Sequence, residues 1–292
     1  MNHKPTIYIL GAFGFLGSRC VEYFQSRGYE VFTNRIDVSD LGQLKDVFGS
    51  LRPDVAINLT GPPANPTIDW CEDHREETVK MIVSGPINFT LASLECGVYP
   101  IQITSGCVYS GGPGYAFTEE DEPNFFGSFY SRMRVASQRS LAELPVLQSR
   151  IRMPLSVFSH PRNFINKITS YKRVISIPNS VTLIEDLWPA IEKLIFLRPI
   201  GILNLTNEGY IEHKQILRAY KKIVDTDHNY ELITLKQLEG PGGITKAQRS
   251  NCVLSVKKAK SLGISMPAIT SKRLEGIMKK YSQNFSRSTC VE

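Results

Sequence analysis

A doubly wound parallel α/β sheet is the fold this sequence predicts, and three observations predict it. A short apolar strand, Thr6 to Leu10, runs directly into the turn Gly11-Ala12-Phe13-Gly14-Phe15-Leu16-Gly17. An amphipathic stretch follows, with Leu16, Cys20, Val21 and Phe24 at helical spacing. Strand-like and helical segments then alternate, as they must where parallel strands are joined by helical crossovers.

The glycine turn is the first functional signal. Gly11 suits a tight turn, Gly14 lets backbone amides approach a pyrophosphate, and Gly17 lets the helix pack close to the strand. Phe13, Phe15 and Leu16 complete a candidate dinucleotide cradle. The spacing GxxGxxG, rather than GxGxxG, resembles the extended short-chain dehydrogenase/reductases, which implies a Rossmann-type domain.

A second strand, Tyr29 to Thr33, ends at Asn34-Arg35. NAD-specific proteins usually carry an acid here to hold the ribose 2′-hydroxyl. A cation stands in its place, so Arg35 is assigned to a 2′-phosphate and NADPH is favoured over NADH. The alternative leaves Arg35 solvated, with Asp37 holding the adenine or capping the next helix. A helix over Leu41 to Leu51 and a strand over Val55 to Leu59 come next, the latter ending in Thr60-Gly61. Asn58-Leu59-Thr60-Gly61 looks like the turn that lies beside the cofactor ribose in the same enzymes.

A further strand, Tyr99 to Thr104, leads to Ser105-Gly106-Cys107, and Ser128-Phe129-Tyr130-Ser131-Arg132-Met133-Arg134 opens a later helix. This order matches the Ser, then Tyr-x-x-x-Lys, of those enzymes, with Arg134 in the place of the lysine. Positions i and i+4 share a helix face, so Tyr130 and Arg134 address one bound substrate. Reduction of a ketone by hydride needs an acid to protonate the developing alkoxide; Tyr130 is that candidate, with Ser105 orienting the carbonyl. A guanidinium keeps the cation but cannot release a proton into a relay.

From Thr67 onward a narrower resemblance emerges. Asp69-Trp70-Cys71-Glu72, Thr104-Ser105-Gly106-Cys107, Glu119 to Phe125, Arg150 to Pro154, Pro161 to Ile165, Ile177 to Ser180 and Arg249-Ser250-Asn251 together resemble the bifunctional UDP-4-keto-6-deoxyglucose 3,5-epimerase/4-reductases of UDP-L-rhamnose synthesis, relatives of the dTDP-4-dehydrorhamnose reductases. The resemblance implies Cys107 and Lys167 as the epimerising acid/base pair. It implies Arg249 at a diphosphate, Asn163 and Asn179 near the sugar or uridine, and Asp69, Trp70 and Glu72 along the sugar pocket. It also implies a homodimer. Read without it, Cys107 is a core thiol, Lys167 a surface lysine and Asn179 a turn former.

The expected organisation is an NADP-binding domain over 1–155 and a substrate-binding region over 156–292. This second region is a small α/β cap with helices at His213 to Ile223 and Leu274 to Tyr281, and a strand near 201–205 returns to the first domain. Ser282 to Glu292 reads as a polar tail.

Composition narrows the remaining classes. The 292 residues are 42% hydrophobic and 21% charged, enough for a sizeable core. The six cysteines show no CxxC spacing, which argues against zinc ribbons and disulfide scaffolds and leaves no metal site to propose. The formal charge of +6, with a basic excess after residue 245, lacks the motif or aromatic interleaving of a nucleic-acid binder. No apolar run approaches the roughly 20 residues of a membrane span, and no signal-peptide region precedes the first strand. A cytoplasmic enzyme acting on a UDP-sugar is the expectation. The alternatives are a dTDP-4-dehydrorhamnose reductase without epimerase activity, or a non-catalytic NADP-binding regulatory subunit.

Overall fold

The structure is a computed structural model that describes residues 4–289. It divides into two compact units. Among the described residues, the first takes 4–108, 122–150 and 191–203, and the second takes 109–121, 151–190 and 204–289.

In the first unit β1 (Ile7–Leu10) is wholly buried and leads through the glycine turn into α1 (Phe15–Ser26). β2 (Val31–Phe32) is shorter than the sequence suggests. α2 (Leu41–Leu51) is capped by Asp40, whose side chain accepts from the Gln43 N–H at 3.0 Å, so Asp37 does not cap it. β3 (Val55–Asn58) follows, then α3 (Trp70–Asp73), α4 (Arg75–Val79), a π-helical turn at Lys80–Ser84 and α5 (Gly85–Glu95). β4 (Tyr99–Ser105) is buried along its length. Beyond β5 (Ala116–Phe117), which lies in the second unit, come α6 (Phe129–Ser140) and β6 (Leu147–Ile151).

The sheet order is β10-β6-β4-β3-β1-β2, where β10 is Gly201–Asn204, the strand expected to return late in the chain. β1 pairs in parallel with both β2 and β3, and β3 with β4. The chain therefore leaves β1 for one side, makes β2, and returns to the other side of β1 to make β3. Such a reversal opens a crevice beyond the carboxyl ends of the two strands, the place where doubly wound sheets bind ligands. Tyr8, Leu10, Leu44, Phe48, Ala56 and Phe89 pack one face of the sheet against α2 and α5.

The second unit holds β7 (Pro154–Leu155) paired with β9 (Thr182–Leu183), and β8 (Arg173–Val174) paired with β11 (Glu231–Leu232). β5 pairs with β12 (Val253–Leu254). α7 (Phe164–Thr169), α9 (His213–Ile223) and α12 (Ser271–Thr289) enclose its core, with Ile165, Ile168, Ile216, Leu217, Ile277, Met278 and Tyr281 buried. α8 (Ile184–Leu197), α10 (Leu235–Glu239) and α11 (Lys257–Ser261) complete the elements. The expected polar tail is helical from Ser282 to Thr289. Leu274, Ile277, Met278 and Tyr281 bury one stripe of α12, and the helix carries on past them. Residues 290–292 of that expected tail, Cys290 among them, lie outside the described residues.

Candidate active site

The glycine turn sits at the reversal point. Gly11 has φ of +77°, and a side-chain carbon there would lie 3.0 Å from the Leu59 backbone and 3.1 Å from the Thr60 nitrogen. The turn after β1 thus abuts the turn after β3. A carbon on Gly17 would fall 2.0 Å from the Gly11 carbonyl oxygen, so only glycine lets α1 start this close to the turn. α1 begins at Gly14 with no side-chain cap and no acid in its first turn, leaving a positive helix end facing the crevice. These features fit a dinucleotide pyrophosphate.

Arg35 and Phe13 are both exposed at the same rim, with the guanidinium carbon 4.7 Å from the ring centroid. Asp37 Oδ1 accepts from the Ser39 N–H at 2.9 Å and the Ser39 hydroxyl at 2.8 Å, and these bonds hold its carboxyl below the usual range. Asn58 behaves differently from expectation. Its buried amide donates to Gln102 and accepts from the Thr60 N–H and hydroxyl, so it shapes the turn and offers its carbonyl to the protein. Thr60 and Gly61 follow it at the crevice.

β4 delivers Ser105 and α6 delivers Tyr130 and Arg134. Ser128 caps α6 by accepting from the Ser131 N–H at 3.1 Å. Arg134 is only 7% exposed, and its guanidinium lies over the Tyr130 ring, 5.0 Å from the centroid. Among the described residues its Nε has no hydrogen-bond partner. A side-chain carbon on Gly61 would sit 3.5 Å from Arg134 Nη2, so the turn after β3 and α6 meet at this cation. A buried guanidinium short of a protein acceptor is costly unless a ligand supplies one. Ribose hydroxyls of a dinucleotide fit that need. Ser105 Oγ accepts from the Cys107 N–H at 3.1 Å, which fixes serine and cysteine on one short turn.

Two supports escaped the sequence reading. Gln138 donates to the Ser105 carbonyl at 3.1 Å, and its own Oε1 accepts from Arg150 Nε at 3.1 Å and Nη2 at 2.8 Å. Gln138 stands one α-helical step beyond Arg134 on the Tyr130 face, so extending the i, i+4 spacing would have found it. Glu72 was expected along the sugar pocket. Instead, its carboxylate accepts from the Phe129 N–H at 2.6 Å and anchors the first turn of α6. Trp70 stacks on His74 at 4.1 Å, with Asp69 beside it at the start of α3.

The second unit holds the other candidates. Asn163 caps α7, and both its donors and its oxygen are used: it donates to the carbonyls of Ser156 and Phe158 and accepts from the amides of Ser156 and Ile165. Asn179 is likewise saturated by Arg152, Cys252, Ile177 and Asn251. Neither amide has capacity left for a sugar or uridine, and each ties strands and loops together instead. Arg249 donates to the Ala247 carbonyl at 2.6 Å, and its backbone N–H reaches Glu239 at 2.5 Å. Lys167, on α7, is partly buried. Desolvation, with the nearby charges of Arg162 and Arg249, pushes its ammonium below the ordinary lysine value.

A family model described as the RmlD substrate binding domain matches residues 5–186. The chain belongs to the RmlD family. An Arabidopsis thaliana bifunctional dTDP-4-dehydrorhamnose 3,5-epimerase/dTDP-4-dehydrorhamnose reductase is 32% identical over 261 residues, 87% of this chain and 86% of the relative. A trifunctional UDP-glucose 4,6-dehydratase/UDP-4-keto-6-deoxy-D-glucose 3,5-epimerase/UDP-4-keto-L-rhamnose-reductase from the same plant is 33% identical over 253 residues. That match takes 83% of this chain but 37% of the relative, so the chain spans well under half of that relative's length. The crystal structure of a UDP-rhamnose synthase from Acanthamoeba polyphaga mimivirus matches with a TM-score of 0.88 at 29% identity, covering 95% of this chain and 100% of that one. The fold, an α/β arrangement around a parallel sheet, is that of the matched solved structure.

Proposed function

We propose that this RmlD-family chain completes UDP-L-rhamnose: it epimerises UDP-4-keto-6-deoxy-D-glucose at C3 and C5, then reduces C4 with NADPH. The observation that carries the reading is Arg134, buried against Tyr130 with a donor unmet by the protein. The glycine turn, Arg35, Thr60, Gly61 and Arg134 would hold the dinucleotide, which supplies the hydride when bound.

Tyr130 gives its hydroxyl proton to the oxygen that becomes an alkoxide at C4, and Ser105 donates a hydrogen bond to the same oxygen. The phenolate left on Tyr130 is stabilised by Arg134. The guanidinium carbon lies 5.0 Å from the ring centroid, close enough for its charge to favour the phenolate. Arg134 stays charged throughout, so the proton that restores Tyr130 comes by another route.

Epimerisation needs a base to remove the proton alpha to the ketone and an acid to return one on the opposite face, with no net redox change. Cys107 and Lys167 supply thiol and amine. The depressed Lys167 ammonium favours a neutral amine able to take that proton.

The test is NADPH consumption with UDP-4-keto-6-deoxyglucose as sole substrate, with NMR identification of the product, for the wild type and Cys107→Ala. UDP-L-rhamnose from the wild type and none from the variant supports the bifunctional reading. Reduction only of a pre-epimerised 4-keto-rhamnose nucleotide would leave a plain reductase. Dinucleotide binding with no turnover on UDP or dTDP substrates would make the chain a binding module, the reading that arginine in place of the family lysine favours.

A further inference from the structure

β1 and β2 pair in parallel, with Ile7 opposite Val31 and Tyr8 opposite Phe32. The segments leaving their carboxyl ends therefore run side by side, which places Phe13 of the glycine turn next to Arg35. The ring of Phe13 is 63% exposed. A tight turn does not ask for an aromatic there, and an apolar ring so open to water gains little from burial. What it touches is the guanidinium of Arg35, 4.7 Å from its centroid. Among the described residues Arg35 forms no ion pair. Asp37, two residues on, has Oδ1 engaged by Ser39.

We infer that Phe13 is a specificity-determining residue: its ring is the platform that holds Arg35 over the glycine turn, ready to pair with a dinucleotide 2′-phosphate. This rests on the reading of that turn as a dinucleotide cradle. Stacking uses the flat face of the guanidinium and leaves its in-plane N–H groups at the edge, so platform and bidentate phosphate contact coexist. A lysine offers no such flat fork to the ring. Phe13 therefore sets how strongly Arg35 favours NADPH over NADH without itself meeting the phosphate.

Calorimetric titration of the full chain with NADPH, NADH, 2′,5′-ADP and 5′-ADP tests this, on the wild type, Phe13→Ala, Phe13→Tyr and Arg35→Ala. The expected result is a fall of about two- to five-fold in the NADPH-to-NADH affinity ratio for Phe13→Ala, the size of an exposed cation–π contact. The 2′,5′-ADP to 5′-ADP ratio falls in parallel. Phe13→Tyr keeps both ratios, and Arg35→Ala removes the preference. Equal weakening of all four ligands by Phe13→Ala, or an unchanged ratio, overturns the inference and leaves the ring a shaper of the turn. A wild type that binds both dinucleotides without preference overturns it through Arg35 while the cradle stands. A wild type that binds neither refutes the cradle itself.

Discussion

Arg134 lies over Tyr130, its guanidinium carbon 5.0 Å from the ring centroid, both side chains on one face of α6. A buried cation whose Nε has no hydrogen-bond partner among the described residues burdens the fold, and in the proposed reduction it would stabilise the Tyr130 phenolate. Arg134→Met is therefore expected to leave the thermal midpoint unchanged or raised while reduction falls by about a hundred-fold or more. Arg134→Lys, which restores the family residue and keeps the charge, is expected to stay within about ten-fold of wild type. Calorimetry and steady-state NADPH oxidation on the same preparations decide it; full turnover by Arg134→Met would show that the cation is not needed.

Gln138 joins the Ser105 turn to α6, and Arg150, 1% exposed, directs two N–H groups at its oxygen. Gln138→Leu removes an acceptor from a buried charge and is expected to cost about 2–3 kcal/mol in urea unfolding at neutral pH. Gln138→Glu keeps the acceptor and adds a charge for Arg150, so it is expected to lose less. Equal loss in the two variants would point to the donor on the Ser105 carbonyl, which both remove, and not to the acceptor for Arg150.

The Lys167 ammonium is depressed by burial first and by Arg162 and Arg249 next. Removing a nearby cation raises the folded pKa toward its ordinary value. If the neutral amine is the base, exchange of substrate α-protons for deuterium rises with pH through that pKa, and Arg162→Met moves the limb to higher pH. NMR of substrate in D2O across the alkaline range reads this directly. A shift to lower pH, or none, would remove Lys167 from the base role.

His213 opens α9 with its ring edge-on to Phe164, 5.4 Å away. Burial, with the charge of Arg152, pushes its imidazole from 6.5 down to about 4. The folded value lies below the unfolded one, so protonation favours unfolding. Stability from the neutral ring is complete above about pH 6.5 and is lost as pH falls through about 4. The loss over that window is about 3 kcal/mol. His213→Leu is expected to flatten the stability curve there, as followed by urea midpoints at several pH values. An unchanged acid slope would assign it to other groups.

Much of the first unit was legible because its signals are local. α2 falls on the expected residues, as α9 does in the second unit, since apolar periodicity sets their faces and nearby polar residues set their starts. Ser105, Tyr130 and Arg134 stood out as an ordered set through the resemblance to the short-chain dehydrogenase/reductases, and helix spacing places the last two on one face of α6. The asparagines were not. Asn58 and Asn179 read as ligand contacts, yet Asn58 donates to Gln102, 44 positions away, with its oxygen taken by Thr60, and Asn179 is saturated by partners that include Asn251, 72 positions away.

The sequence by itself determined β1 with its glycine turn and α1, the helices α2 and α9, and the spacing that puts Tyr130 and Arg134 on one face of α6. These depend on backbone sterics and on neighbours a few residues apart. Only the tertiary structure decided which polar side chains remain available to a ligand. Hydrogen-bonding capacity is finite, and folding fills it from near and far: Asn163 by residues within seven positions, Asn179 and Glu72 in part by segments more than fifty positions away, while the Nε of Arg134 was left unmet.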